Sequence, residues 1–377
     1  MDAKLPIAKL LIRRSFDLSG TKLFLTTWLG LSLTALILDW LAGRFVWQGI
    51  SLTLPLLICA LLTAGLGYWV VPILQTLKTG QVIREDGPQA HLQKAGTPTM
   101  GGIFFVPVAV AIALFWSGLA PAVTTADFAA VLAVSLLTLA YGAIGWLDDW
   151  QVLRRKSNKG ISPRMKLALQ VSAGGLFCLW LAWTQTANIA TLSLPFGLAL
   201  PLGLLFWPLA WFVLVAESNA TNLTDGLDGL AAGTSAIALL ALGTSIAPLS
   251  PGLMIFCACL SGSCLGFLVH NRNPATVFMG DTGSLSLGGA LAAVALVTNS
   301  LWILFIVGGI FVIESLSVVL QVSYYKATKG PDGIGKRLFK MAPFHHHLEL
   351  SGWPEKRVVA SFYAITAALA VLPFLLH

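Results

Sequence analysis

The chain has 377 residues, of which 56% are hydrophobic and only 10% charged, with a mean hydropathy of +0.82. A soluble globule carries about 25% charged residues, so this composition excludes one and leaves a polytopic membrane protein. The net charge of +7 does not point to a nucleic-acid partner, because basic residues also set membrane topology.

The apolar runs are roughly 20 residues long, as helical spans require, and none alternates as barrel strands do. In chain order they predict helices near 24–42, 52–77, 101–119, 127–147, 167–185, 198–217, 229–247, 252–270, 283–298, 301–322 and 358–376. The expected fold is all-α: a polytopic integral membrane helical bundle of about eleven transmembrane helices, with its active site on the cytoplasmic face. Residues 1–51 read as an N-terminal cytoplasmic segment with an extra candidate span, and residues 52–377 as the membrane domain.

The connections sort into two sets. Segments 43–51, 120–126, 186–197, 248–251 and 299–300 are short and nearly uncharged, whereas 78–100, 148–166, 218–228, 271–282 and 323–357 are polar. Of the 23 Lys and Arg residues, all but Arg44 lie in the N-terminal segment or the polar set. The positive-inside rule therefore places that set and the N-terminus in the cytoplasm, and the C-terminus outside. The first segment lacks a removable-signal pattern; whether 24–42 crosses the bilayer or lies in its interface stays open. Cys59, Cys178, Cys257, Cys259 and Cys264 all fall in apolar runs, without the context of a zinc or redox site.

Groups capable of chemistry gather on the polar-loop side. Lys94 leads into GTPTMGG, which carries Thr97 and Thr99, and Asp148 and Asp149 end a span in GWLDDW. NATNLTDGLDGL runs from Asn219 to Leu230, Asp281 follows in NRNPATVFMGDTGS, and PFHHHLE holds His345, His346 and His347. Each motif alone has a plain reading as a cap, a turn or a surface loop. Glu314, deep in a span, is costly in lipid and is expected to make an inter-helix hydrogen bond without a chemical role.

Together the motifs say more. Carboxylates suit Mg²⁺, which keeps waters and binds substrate phosphates through one or two protein carboxylates. Lys and Arg suit phosphate oxygens, and histidine donates or carries a proton near neutral pH. The set describes Mg²⁺-assisted phosphoryl transfer at the inner membrane surface; zinc would favour Cys or paired His ligands.

GTPTMGG, DD, NLTDGLDG, NPATVFMGDTGSL and PFHHHLE, in this order and spacing, resemble the phospho-N-acetylmuramoyl-pentapeptide transferase family over roughly residues 78–376. The acidic motifs alone fit the wider polyprenyl-phosphate N-acetylhexosamine-1-phosphate transferase superfamily; PFHHHLE points to this branch. The resemblance implies a bacterial inner-membrane enzyme of peptidoglycan synthesis. It would transfer phospho-N-acetylmuramoyl-pentapeptide from its UDP-sugar to undecaprenyl phosphate, forming lipid I and UMP. Family members have ten spans, so the helix at 24–42 would be an addition.

The resemblance also implies residue roles. Asp281 would hold Mg²⁺, with Asp148 and Asp149 around the lipid phosphate and Asp149 also on the metal. Lys94, Thr99, Lys156, Asn222, Asp225, Asn271, Phe278 and His346 would bind substrate, with Phe278 stacked near uracil, and His345 would touch the diphosphate. Val152 and Arg164 stand where family members often carry lysines; an Arg still holds phosphate, whereas Val152 does not. Family members form dimers, making a homodimer a further expectation. Direct attack by the lipid phosphate and a covalent aspartyl intermediate both remain open. A sibling transferase using UDP-N-acetylglucosamine is the nearest alternative. A secondary transporter would place its charges near the midplane between inverted repeats, but here they crowd one face.

Overall fold

The computed structural model describes residues 19–44, 49–77, 94, 96–155, 160–184 and 187–376. The chain begins with α1 (Gly20–Leu41), α2 (Thr53–Thr76), α3 (Gly102–Leu119), α4 (Thr125–Arg155) and α5 (Pro163–Thr184). A small hairpin follows, β1 (Thr191–Ser193) pairing antiparallel with β2 (Ala199–Pro201) in the register Thr191↔Pro201. Then come α6 (Phe206–Thr224), α7 (Leu230–Ile246), α8 (Pro251–Asn271), α9 (Gly280–Val297), α10 (Leu301–Val307), α11 (Gly309–Ala327), α12 (Phe344–Glu349) and α13 (Glu355–Leu375). Among the described residues, ten helices are long and apolar enough to cross a membrane. Helix α7, at 17 residues, is shorter than those ten. The protein is a polytopic helical membrane protein.

Helices α8 and α9 form the centre, with 94% and 83% of their most apolar stretches buried. Helix α2 packs on α8, and α4 packs on α9. Gly262 and Gly266 on α8 lie one turn apart, where a Cβ would strike the Leu56 and Ala60 carbonyls of α2. Small residues at that spacing let two membrane helices approach closely, which substitutes for the hydrophobic driving force that lipid removes.

Two acids outside the site end up as helix caps. Asp39, near the end of α1, accepts from Ser51 Oγ (2.7 Å), Leu52 N (3.0 Å) and Thr53 N (2.9 Å), satisfying the orphan donors at the start of α2. Asp127 on α4 likewise accepts from Gly252 N (2.6 Å) and from Ser250 Oγ at the head of α8. Asp39 ties α1 into the body of the protein, although the sequence presents that helix as an appendage.

Several boundaries differ from the expected ones. The span at 198–217 starts at Phe206, because Pro195, Gly197, Pro201 and Gly203 interrupt helical geometry and the preceding stretch folds into the hairpin. The span at 301–322 divides at Gly308 into α10 and α11. Two polar segments taken as loops are partly helical. Helix α4 runs on past Asp148 and Asp149 to Arg155, and α6 carries Asn219 and Asn222 on its last turns.

Candidate active site

The acid cluster forms where the ends of α4, α6 and α9 meet. Asp281 stands in the first turn of α9. Its Oδ1 accepts from Asn222 Nδ2 of α6 at 2.7 Å, and its Oδ2 is ion-paired with Lys166 near the start of α5. Asn222 also donates to Ser284 Oγ at 2.9 Å, one turn along α9. The Asp148 carboxyl of α4 lies against that of Asp281. It accepts Ile161 N at 3.0 Å, just ahead of α5. Two adjacent carboxylates with one ammonium make a site of net negative charge, open enough for side-chain exposures of 17% at Lys166 and 22% at Asp281.

Asp149 does something else. Its oxygens accept from Asp281 N (3.2 Å), Thr282 N (3.0 Å) and Thr282 Oγ1 (2.6 Å), so it caps α9 from a neighbouring helix. Expected as a metal ligand, it directs its oxygens at the backbone of the first turn of α9, which carries Asp281. Gly280 is needed at this junction. Its φ is +72°, and a Cβ would meet Asp149 Oδ2, Thr99 Oγ1 and Met100 N.

A second network lies beside the first. Lys94 Nζ bridges Asp228 Oδ1 (2.8 Å) and Glu355 Oε1 (2.6 Å). Asp228 Oδ2 accepts from Asn273 Nδ2 (3.0 Å) and Ala275 N (3.1 Å), and Asn273 also reaches Glu355 Oε2 at 3.2 Å. Burial opposes the Lys94 charge, but the Glu355 and Asp228 carboxylates outweigh it and raise the ammonium pKa. Asp225, capping α6, has a carboxyl pushed up to about 8, first by burial and then by the Asp281 and Asp149 charges, against a backbone donor at Gly280.

The two loops are fastened together. Asn271 Oδ1 accepts Gly229 N (3.0 Å) while its Nδ2 donates to the Val277 carbonyl (2.9 Å). Expected on the nucleotide, it joins TDGLDG to the NPATVF turn, and it is buried. Phe278 pairs through its backbone with Pro98 O (2.7 Å) and with Gly101 N (2.9 Å). Its ring stays half-exposed, while Thr99 beside it is buried. Lys156 lies outside the described residues.

The histidines divide in role. His345 is fully buried, and its Nδ1 stands 3.0 Å from Glu314 Oε2 while its backbone N–H donates to Oε1 at 3.2 Å. Its Nε2 has no partner and abuts Gly226, where a Cβ would collide with the ring. His345 thus reaches the TDGLDG turn from behind, without lining an open surface. His346 pairs with Glu349 at 2.9 Å and packs against the His345 ring. Sequence reasoning missed Lys166, Asn273 and Glu355 and left Asp228 out of the site. Lys166 lies two residues past Arg164, outside every quoted motif, and Glu355 opens an apolar helix with no motif around it.

Converging carboxylates, paired lysines and a buried histidine at one end of a helical bundle define a membrane-embedded enzyme of the phosphoryl-transfer class. The model of Glycosyl transferase family 4 matches residues 131–299, and signature 1 of phospho-N-acetylmuramoyl-pentapeptide-transferase matches residues 94–106. The chain is 69% identical over 366 residues to a phospho-N-acetylmuramoyl-pentapeptide-transferase of a Nostoc species, covering 97% of each chain. It is also 69% identical to the Trichormus variabilis protein of that name, covering 97% of this chain and 98% of the relative. The Synechococcus elongatus protein is 58% identical over 372 residues, again 97% and 98%. The chain belongs to the phospho-N-acetylmuramoyl-pentapeptide-transferase family.

Proposed function

We propose that the acid cluster joins a soluble nucleotide sugar to a lipid phosphate at the membrane surface. The enzyme transfers phospho-N-acetylmuramoyl-pentapeptide from its UDP-sugar to undecaprenyl phosphate, giving lipid I and UMP. The observation that carries this reading is Asp281, held between Asn222 and Lys166 with Asp148 against it. A lipid phosphate oxygen attacks the β-phosphorus of the UDP-sugar. The bond from β-phosphorus to the bridging oxygen breaks, and its electrons leave with UMP.

Both reactants are anions, so charge must be neutralised before they meet. The donor chemistry fits Mg²⁺: Asp281 and Asp148 are hard oxygen ligands placed side by side, and one or two carboxylates are what this ion takes. Bound there, the ion would supply charge neutralisation and polarise the phosphoryl oxygens. Lys166 adds positive charge on the same side. Asp148 positions the lipid phosphate, and Asp149 holds Asp281 in place through the α9 backbone. Asn271 and the Lys94–Asp228–Glu355 network shape the nucleotide end, where Phe278 offers a half-exposed ring to the base. The site lies on the cytoplasmic face of the bacterial inner membrane in this reading, as the sorting of basic residues supports.

The deciding experiment is conversion of UDP-N-acetylmuramoyl-pentapeptide by purified protein with undecaprenyl phosphate and Mg²⁺, read as UMP release. Equal turnover with UDP-N-acetylglucosamine as donor would reassign the sugar, and activity undiminished by chelation would remove the metal.

A further inference from the structure

Glu217 lies in α6 and is 8% exposed, yet its Oε1 has no hydrogen-bond partner. It has no cationic side chain paired with it among the described residues. One turn further on, Thr221 is fully buried and its Oγ1 is also without a partner. Thr138, Thr224 and Thr366, buried in other stretches of helix, each donate to the carbonyl four residues back. Thr221 does not, and its hydroxyl stays on the same face of α6 as Glu217.

Across from Glu217, the chain interrupts its helix at Gly308, between α10 and α11. A Cβ on Gly308 would lie 3.6 Å from Glu217 Oε1 and 2.7 Å from the Leu304 carbonyl oxygen. The glycine therefore leaves the acid facing the end of α10, where the Leu304 carbonyl accepts the Gly308 N–H at 2.7 Å and keeps a second lone pair.

A carboxylate inside a bilayer protein without a partner is strongly unfavourable unless its charge is neutralised. Interrupted membrane helices offer their C-terminal carbonyls to monovalent cations. The donors here are all hard oxygens, and Glu217 supplies the one formal charge. A monovalent cation balances that charge; a divalent one leaves an excess buried in low dielectric. We propose that Glu217 Oε1, Thr221 Oγ1 and the Leu304 carbonyl form a binding site for an alkali-metal cation of the Na⁺ class, separate from the acid cluster.

The site would act as a tie. Helix α6 brings Asn222 to Asp281, and Glu217 stands about 7–8 Å back along the same axis. Helix α11 brings Glu314 to His345. An ion between α6 and the α10–α11 junction holds both arms of the active site in one register.

The test compares the purified full-length protein in NaCl, KCl and choline chloride at equal ionic strength and fixed Mg²⁺, reading melting temperature and UMP release. The wild type should melt about 2–4 °C higher in at least one alkali salt than in choline. Glu217→Gln keeps the side-chain size and removes the charge, so it should bind UMP normally and lose the difference. Thr221→Val should shrink it. Identical melting of the wild type in all three salts would mean that the carboxyl holds a proton instead, and would overturn the proposal. So would a cation effect undiminished in Glu217→Gln or, if that variant fails to fold, in Thr221→Val.

Discussion

Replacing Glu314 by Gln tests whether His345 is held in one tautomer. The carboxylate accepts twice, from His345 Nδ1 at 3.0 Å and from the His345 backbone N–H at 3.2 Å, and both side chains are fully buried. With Nδ1–H donated to Glu314, Nε2 is left as the free acceptor against the Gly226 turn. A glutamine cannot reproduce this. If its amide oxygen faces Nδ1, its NH₂ opposes the backbone donor; if it is flipped, NH₂ faces Nδ1 and forces the proton to Nε2. One charge-assisted hydrogen bond is lost either way, worth about 1.5–3 kcal/mol, or roughly 10- to 150-fold in turnover. Forcing the wrong tautomer has cost about 10⁴-fold in a well-studied hydrolase triad, which sets the upper bound. The assay is UMP release alongside calorimetric UMP binding and melting. Turnover should fall by ~10- to 10⁴-fold with UMP affinity nearly intact. Wild-type turnover in Glu314→Gln would refute the reasoning. So would full additivity of Glu314→Gln with His345→Ala, since residues acting as one unit are not additive.

Asp281→Asn keeps shape and removes the anionic ligand, so turnover should collapse and excess Mg²⁺ should restore little; normal turnover would remove Asp281 from the metal. Phe278→Ala should raise the KM for the UDP-sugar by about 5- to 150-fold, the range of base–aromatic stacking at roughly 1–3 kcal/mol; an unchanged KM with lower kcat would place the ring elsewhere. For Asp225, burial and its acidic neighbours put the carboxyl at about 8, above its unfolded value. The neutral acid, present below that pH, is the form that tolerates an anionic ligand and favours the folded state. UMP affinity and stability should both decline as pH rises through about 8, with UMP already a dianion there. In Asp225→Asn that step should vanish, and a binding profile identical to wild type between pH 7 and 9 would contradict it.

The apolar runs located most helices because a bilayer demands long uncharged stretches, and that signal is carried by composition. Residues 198–205 misled it: they are apolar, but their Pro and Gly residues form a hairpin and end turn that hydropathy does not register. The acids of the site were legible for the opposite reason, since carboxylates are conspicuous in an oily chain. Their division of labour was not. Asp148 and Asp149 are neighbours in sequence, yet successive residues of a helix point about 100° apart. One therefore meets Asp281 while the other caps α9. Lys166 and Glu355 stayed hidden because a lone cation near a helix start and a lone acid at a helix start look like ordinary end charges. Glu314 was recognised as an inter-helix hydrogen bond, but its partner, 31 residues away across a long loop, is a matter of tertiary packing.

The bridge from Lys94 to Glu355 spans 261 residues and ends on the first residue of the last helix. At about 5–20 residues per second, a ribosome needs roughly 10–50 s to deliver the second partner after the first has emerged. Throughout that interval the nascent chain already carries Lys94 and then Asp228, but not the acid that anchors both. The network that holds Lys94 and Asp228 is therefore complete only once the first turn of the final helix has been made. A chain stopped short of α13 lacks Glu355, and with it the carboxylate that reaches Lys94, the Asp228 N–H and Asn273 together.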